Sequence, residues 1–106
     1  MNVLFICSQN KWRSPTAEYI FAVGFNLNTR SAGTSKHTKH TVNLQDIRWA
    51  DLIFVMEFKH KKSLQEKFRK ELQSKKVIVL DIPDDYHYMD DELIELLHLS
   101  VTSYLK

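Results

Sequence analysis

One cysteine and one nearby arginine define the chemistry open to this chain. Cys7 and Arg13 bracket Ser8-Gln9-Asn10-Lys11-Trp12, and Ser14-Pro15 follow at once. Cys7 comes directly after an apolar run at 2–6 that suits a buried strand. Ser14-Pro15-Thr16-Ala17-Glu18 has the form of a helix start, where the missing N–H of proline has no partner to lose. A loop passing from a strand end to a helix start aims backbone N–H groups, and the positive end of the helix dipole, into one small concavity. That is an anion site. It favours a thiolate on a cysteine at its edge, and Arg13 supplies a planar fork matched to two phosphoryl oxygens. Ser14 is placed to donate a hydroxyl hydrogen bond to the sulfur. A lone cysteine more often packs as a small hydrophobe; the conjunction of strand, cysteine, arginine, serine, proline and helix favours a reactive one.

Such a site needs a scaffold that brings a second loop to the first. The runs at 51–56 and 76–80 read as buried strands, and 29–32, closed by Gly33, as a short one. Helical patterns alternate with them. Ala17, Ile20, Phe21 and Gly24 keep one face to about residue 25, and 43–49 forms a short helix. A charged helix at 57–73 carries the stripe Phe58, Leu64, Phe68 and Leu72. A last helix at 90–105 carries Leu93, Leu96, Leu97, Val101 and Tyr104, with Asp90, Asp91 and Glu92 where its dipole favours negative charge. This alternation implies right-handed βαβ crossovers and an α/β fold: a three-layer αβα sandwich with a four-stranded parallel sheet. Ligands of such sheets lie beyond the carboxyl ends of the strands. The loop after the first strand and the acidic loop at 81–88 both belong to that edge.

Composition narrows the alternatives. The 106 residues fit one domain spanning 1–106, and 43% hydrophobic with 26% charged residues excludes a disordered chain. A net charge of +2 favours an anionic ligand slightly but is too small to argue for nucleic acid by itself. No apolar run approaches the ~18 residues of a membrane span, so no membrane partner is expected. The first residues lack the basic region and long apolar core of a signal peptide. One cysteine makes neither an internal disulfide nor a thiolate-rich zinc site. A cytoplasmic protein without metal or cofactor is expected. The basic runs at 59–62 and at Lys75-Lys76 read as solvated helix faces.

Cys7 to Pro15 resembles the phosphate-binding loop of the low-molecular-weight protein tyrosine phosphatases: a cysteine, five residues, an arginine, a serine and usually a proline. The resemblance continues in order along most of the chain. Val3-Leu4-Phe5-Ile6 is similar to the first strand of that family, Thr16-Ala17-Glu18 to its first helix, and Ser31-Ala32-Gly33-Thr34 to a Ser-Ala-Gly-Thr stretch. Ala50 to Met56 is similar to its third strand, and Ile82-Pro83-Asp84 falls where the family carries an Asp-Pro-Tyr acid loop. The resemblance implies a phosphomonoester hydrolase, most simply a protein tyrosine phosphatase, in which Cys7 forms a phosphocysteine and Asp84 is the general acid and base. The loop amides and Arg13 would stabilise the phosphoryl oxygens. Ser8, Gln9, Asn10, Lys11, Trp12 and Ser14 would bind the phosphate or shape the loop, and Tyr86 and Tyr88 would line the mouth against an aromatic substrate.

The same comparison marks departures. The chain is shorter than typical members, Gln9 stands where a glycine is usual, and Trp12 replaces a second cysteine that protects the nucleophile as a disulfide in many members. Asp85 follows Asp84 where proline is usual, so Asp85 competes for the role of acid. Asn10 matches the asparagine that pins the family loop, expected in a left-handed conformation, and either His37 or His40 could support it. The expected partner is a phosphorylated protein or a small phosphomonoester. A nucleotide or nucleic-acid terminal phosphate remains an alternative with weaker support, as does a phosphate-binding regulatory module with little turnover.

Overall fold

A computed structural model describes residues 1–105. It begins with β1 (Asn2–Cys7), in which Val3, Leu4, Phe5, Ile6 and Cys7 are all buried. Burial of consecutive strand residues requires cover on both faces. The chain then forms α1 (Arg13–Phe25), which ends on the left-handed Asn26, and β2 (Asn28–Gly33). Helix α2 (Leu44–Trp49) is only six residues long but strongly capped. The Asn43 side chain accepts from the Asp46 N–H, and the Asp46 carboxylate accepts from the Asn43 N–H. β3 (Leu52–Val55), α3 (Phe58–Leu72), β4 (Lys76–Val79) and α4 (Asp91–Val101) follow, with a final 3-10 turn at Thr102–Tyr104.

The strands run in the order β2-β1-β3-β4, all parallel. Alternate residues of β1 and β3 divide the core in two. Val3, Phe5, Cys7 and Phe54 pack with Phe21 of α1 and with Leu93, Leu97 and Val101 of α4. Leu4, Ile6, Ile53 and Val55 pack on the other face with Ile47 of α2 and with Leu64 and Leu72 of α3. The architecture is therefore the expected αβα sandwich on a four-stranded parallel sheet. Phe5 stacks between Phe21 and Phe54, with ring centroids 5.6 and 5.5 Å away. Each such buried side chain contributes ~1.5–3 kcal/mol of apolar transfer.

Two helical stripes differ from expectation. On α3 the inward row is His60, Leu64, Phe68 and Leu72, at a four-residue spacing that stays on one face. Phe58 lies two positions from that row, which turns it to the opposite side, and it is 62% exposed. The helix also departs from helical geometry at Phe68 (φ −130°, ψ 36°). On α4 the regular helix stops at Val101, and Tyr104, in the 3-10 turn, meets Phe54 edge-on at 5.8 Å while remaining partly exposed.

In this strand order the connections leave β1 and β3 toward opposite sides, which opens a crevice at their carboxyl ends. Cys7 ends β1 on one side of it, and Met56-Glu57 follow β3 on the other. Past the end of the β1–β2 ladder, the Thr34 N–H donates to the Cys7 carbonyl and the Ser35 N–H to the Ser8 carbonyl, both at 3.0 Å. Gly33 makes this approach possible. A Cβ there would lie 2.6 Å from the Ser8 carbonyl oxygen and 2.8 Å from Thr38 Oγ1. Gly33→Ala is therefore expected to destabilise the protein by about 1–3 kcal/mol, or roughly 5–15 °C in Tm. Thermal unfolding checks this; an unchanged Tm would mean that the strand edge has room to spare.

Candidate active site

The segment from Cys7 to Arg13 turns sharply at Asn10, which adopts the expected left-handed conformation (φ 51°) and is buried. Asparagine accepts this backbone with less strain than most residues. The loop is held from its outer side by Thr34 and Ser35 and by Thr38 Oγ1, which donates to the Gln9 carbonyl. Among the described residues, no amide from Ser8 to Arg13 donates to a protein acceptor. These donors remain available to an anion, beside the first turn of α1.

Arg13 is the largest fully buried side chain, 2% exposed. Its Nη1 donates to Glu57 Oε2 at 2.6 Å and to the Ile82 carbonyl at 2.8 Å, and its Nε lies 3.7 Å from Asp84 Oδ1. Burial by itself would raise the Glu57 pKa, but the hydrogen bond and charge of Arg13 prevail and hold it below the ordinary carboxylate value. Cys7, Gln9, Lys11, Trp12, Arg13 and Asp84 line a single cavity of about 190 Å³. Sulfur, guanidinium and carboxylate thus converge from the end of β1, the start of α1 and the loop after β4. Asp84 is more than half exposed. Trp12 forms one wall, backed by the His87 ring at 4.6 Å and overlain by Lys11 Nζ at 4.8 Å.

His60, on α3, braces the same loop. The Glu57 N–H donates to its Nδ1 at 3.0 Å, so neutral His60 carries its proton on Nε2 and donates it to Ser8 Oγ at 2.8 Å. The ring is 1% exposed. Burial, followed by the Arg13 charge, lowers its pKa to about 4 against the opposing pull of Glu57. The basic run at 59–62 is therefore not uniformly solvated, because the four-residue row of α3 turns His60 inward. Lys75 is likewise engaged, donating to the Ala50 carbonyl at 2.6 Å and the Arg48 carbonyl at 3.1 Å.

Several other expectations are displaced. Ser8 turns to His60 instead of lining the cavity. Ser14 is fully buried, and its Oγ has no hydrogen-bond partner among the described residues, so it is not bonded to the Cys7 sulfur. The Asn10 Oδ1 also lacks a partner. His40 Nε2 instead pairs with Asp46 Oδ2 at 2.8 Å, and the one hydrogen bond of His37 runs from its backbone N–H to Ser35 Oγ.

Neither Tyr86 nor Tyr88 lines the Cys7 cavity. The loop carrying them is bracketed by left-handed residues, Asp81 (φ 62°) and Met89 (φ 61°), which fold it back on α1 and α4. Tyr86 packs on the core and points its hydroxyl at Glu92, while Tyr88 borders a larger neighbouring cavity. Asp85 is exposed, outside the Cys7 cavity and near Tyr86, whose pKa is raised by burial and by the Glu92 and Asp85 carboxylates. The loop end is tied to the site through Thr16, whose Oγ1 accepts from the Met89 N–H and donates to the Trp12 carbonyl.

Glu57, His60 and His87 did not emerge from the sequence. Glu57 had a usable signal, a carboxylate directly after the buried run of β3 at the ligand-binding edge. Among the described residues, no group of three or more His, Cys, Asp and Glu side chains is arranged to hold a metal ion, and no helix is long and apolar enough to cross a membrane.

The His60 bracing has a measurable pH signature. The folded pKa, about 4, lies below the ordinary value of 6.5, so the folded state binds the proton less well than the unfolded chain. The associated stability is present above pH ~6.5 and is lost progressively down to about 4, up to roughly 3 kcal/mol. Glu57, also depressed, adds a further loss below its ordinary value of 4.5. Denaturant unfolding should show a fall between pH 7.5 and 5 that shrinks markedly in His60→Asn. An equal fall in both proteins would contradict the assignment.

No protein-family model matches the sequence, and no curated protein matches it. Solved structures do. The chain is similar along 100% of its length to 99% of a YwlE mutant from Bacillus subtilis, with 24% identity and a TM-score of 0.72. It is similar over 98% of its length to 90% of SP-PTP, a low molecular weight protein tyrosine phosphatase from Streptococcus pyogenes, with 19% identity and a TM-score of 0.79. The tyrosine phosphatase Wzb from Escherichia coli K30, solved with phosphate, matches 97% of this chain over 94% of its own, with 21% identity and a TM-score of 0.77. The chain has the fold of these proteins.

Proposed function

We propose that this protein is a cysteine-dependent phosphatase that hydrolyses phosphomonoesters through a phosphocysteine on Cys7. The observation that carries the proposal is the meeting of Cys7, Arg13 and Asp84 in one small cavity. The loop motif and a fold shared with tyrosine phosphatases support it. One similar structure is a YwlE arginine phosphatase mutant in which the active-site serine, replacing cysteine, is phosphorylated.

In the first step the Cys7 thiolate attacks phosphorus. The S–P bond forms as the P–O bond to the leaving group breaks, and Asp84 delivers a proton to the departing oxygen. In the second step Asp84 takes a proton from water, whose oxygen attacks phosphorus and releases the thiolate. The guanidinium of Arg13 and the free loop amides would bind the equatorial oxygens. Glu57 fixes the fork of Arg13 without touching the substrate. A planar phenyl ring fits beside the Trp12–His87 pair, which favours phosphotyrosine. A cytoplasmic location, in keeping with a lone free cysteine, belongs to the same proposal. The presence of an acid beside the nucleophile argues for turnover over mere phosphate binding, and no observation favours a nucleic-acid phosphate.

Cys7→Ser should abolish turnover of p-nitrophenyl phosphate while the protein still binds vanadate, because Arg13 and the amides remain. Arg13→Lys should lose at least ~100-fold in kcat/KM, since a point charge cannot reproduce the fork or both of its tethers. Steady-state kinetics with phosphotyrosine, phosphoarginine and alkyl phosphates would measure the scope. Full activity in Cys7→Ser would remove the proposal.

The two neighbouring carboxylates are separable in the same assay. Asp84→Asn should slow alkyl phosphates by ~10²–10⁴-fold and aryl phosphates less, because poor leaving groups need the proton most. Its pH–rate profile should lose the basic limb. Asp85→Asn should keep most of the rate and the limb, since Asp85 lies outside the cavity. The reverse pattern would assign the acid to Asp85.

A further inference from the structure

A second cavity of about 1180 Å³ adjoins the first, and Gln9 and Lys11 line both. The smaller one suits a phosphoryl group and the start of its leaving group. The larger exceeds the usual ~300–1,000 Å³ of a small-molecule pocket, and it lies between α1, β2 and the segment that leads into α2.

Its charges are unequally satisfied. Asp46 is engaged by His40 at 2.8 Å and by Arg30 at 3.4 Å, and the Glu18 carboxylate accepts from Ser31 Oγ at 2.7 Å. Lys11 and Lys39, both exposed, make no salt bridge among the described residues. The charge left over on the wall is positive. Asn10, 6% exposed, also borders this cavity, with its Oδ1 turned out of solvent.

We infer that the larger cavity binds an acidic stretch of a phosphorylated peptide whose phosphoryl group occupies the Cys7 cavity. The inference rests on the proposed hydrolase activity and names its substrate class. The shared rim at Gln9 and Lys11 lets one ligand enter both cavities, and at about 3.3 Å per residue an extended peptide crosses such a rim in a few residues. Two ammonium groups without a carboxylate partner, Lys11 resting on the Trp12 ring, suit one or two carboxylates. A polynucleotide is a poorer match, because Glu18 and Asp46 would face a backbone charged at every unit.

The test compares phosphotyrosine peptides of about ten residues that differ only in two Asp or two Asn residues, placed on one flank or the other. For one flank, kcat/KM should be about 3–10-fold higher for the acidic peptide at low salt, and the ratio should approach one near 1 M salt. Lys39→Glu should abolish or invert the ratio, and Lys39→Gln should reduce it. Turnover of p-nitrophenyl phosphate, which reaches only the smaller cavity, should stay within about twofold in both variants. A ratio of one on both flanks overturns the inference, as does a ratio that survives Lys39→Glu. A Lys39-dependent preference for a 5′-phosphorylated oligonucleotide over the acidic peptide overturns it too. Should no phosphomonoester be hydrolysed, the hydrolase proposal fails, and the same peptide pair is read by fluorescence anisotropy as Kd on the wild-type protein. Equal Kd values then overturn the inference separately.

Discussion

A buried guanidinium ties three distant segments of this chain to one point. Arg13 is almost wholly removed from water, and a cation in that position is tolerated only with close, hydrogen-bonded partners. It finds the Glu57 carboxylate at the end of β3 and the Ile82 carbonyl after β4, with Asp84 at a longer distance. Removing Glu57 would leave the charge without its anionic partner; removing Arg13 would leave the acidic loop without its anchor. The need to satisfy one charge therefore fixes the mutual position of the Cys7–Arg13 loop, the sheet edge and the loop after β4.

The rest of the site follows the same logic of support from outside. Thr34, Ser35 and Thr38, just after strand β2, donate to the carbonyls of Cys7, Ser8 and Gln9 along the outer side of the loop. His60 holds Ser8 from the α3 side through the backbone of Glu57, the residue whose carboxylate holds Arg13. Thr16 links the loop to the end of the acidic segment at Met89. Donors aimed at the ligand need no rearrangement when it arrives, and such preorganisation is where electrostatic stabilisation has its largest effect. Backbone strain is concentrated in the same region: three of the four left-handed residues among those described, Asn10, Asp81 and Met89, lie in the two loops that form the site.

A small cavity holding Cys7, Arg13 and Asp84 beside a larger one bordered by Lys11 and Lys39 separates two requirements. The reacting group needs a dry, tightly defined enclosure, whereas recognition of what surrounds it tolerates exposed lysines and solvent. Gln9 and Lys11 belong to both cavities, so the loop between Cys7 and Arg13 borders the two spaces at once.

The sequence by itself determined the layering and the pairing of Cys7 with Arg13 on one loop. Apolar runs at strand length, alternating with helical periodicity, leave few packings other than a covered parallel sheet, and Cys7 and Arg13 sit six residues apart on a loop whose ends are set by a strand and a proline-started helix. Those signals are local, and local physics suffices to read them. What tertiary structure alone decided is which side chains meet. Glu57 and Arg13 are 44 residues apart, and Ser8 and His60 are 52, so no periodicity relates them. His60 looks like a solvated member of a basic run until the row it shares with Leu64 and Leu72 is seen to face inward. Tyr86 and Tyr88 look like a substrate wall until packing turns Tyr86 onto the core and Tyr88 to the larger cavity, while Asp84 of the same loop stays at the Cys7 cavity. In each case the deciding quantity is the direction of a side chain relative to a distant partner, fixed by packing across the sheet and not by the residues beside it.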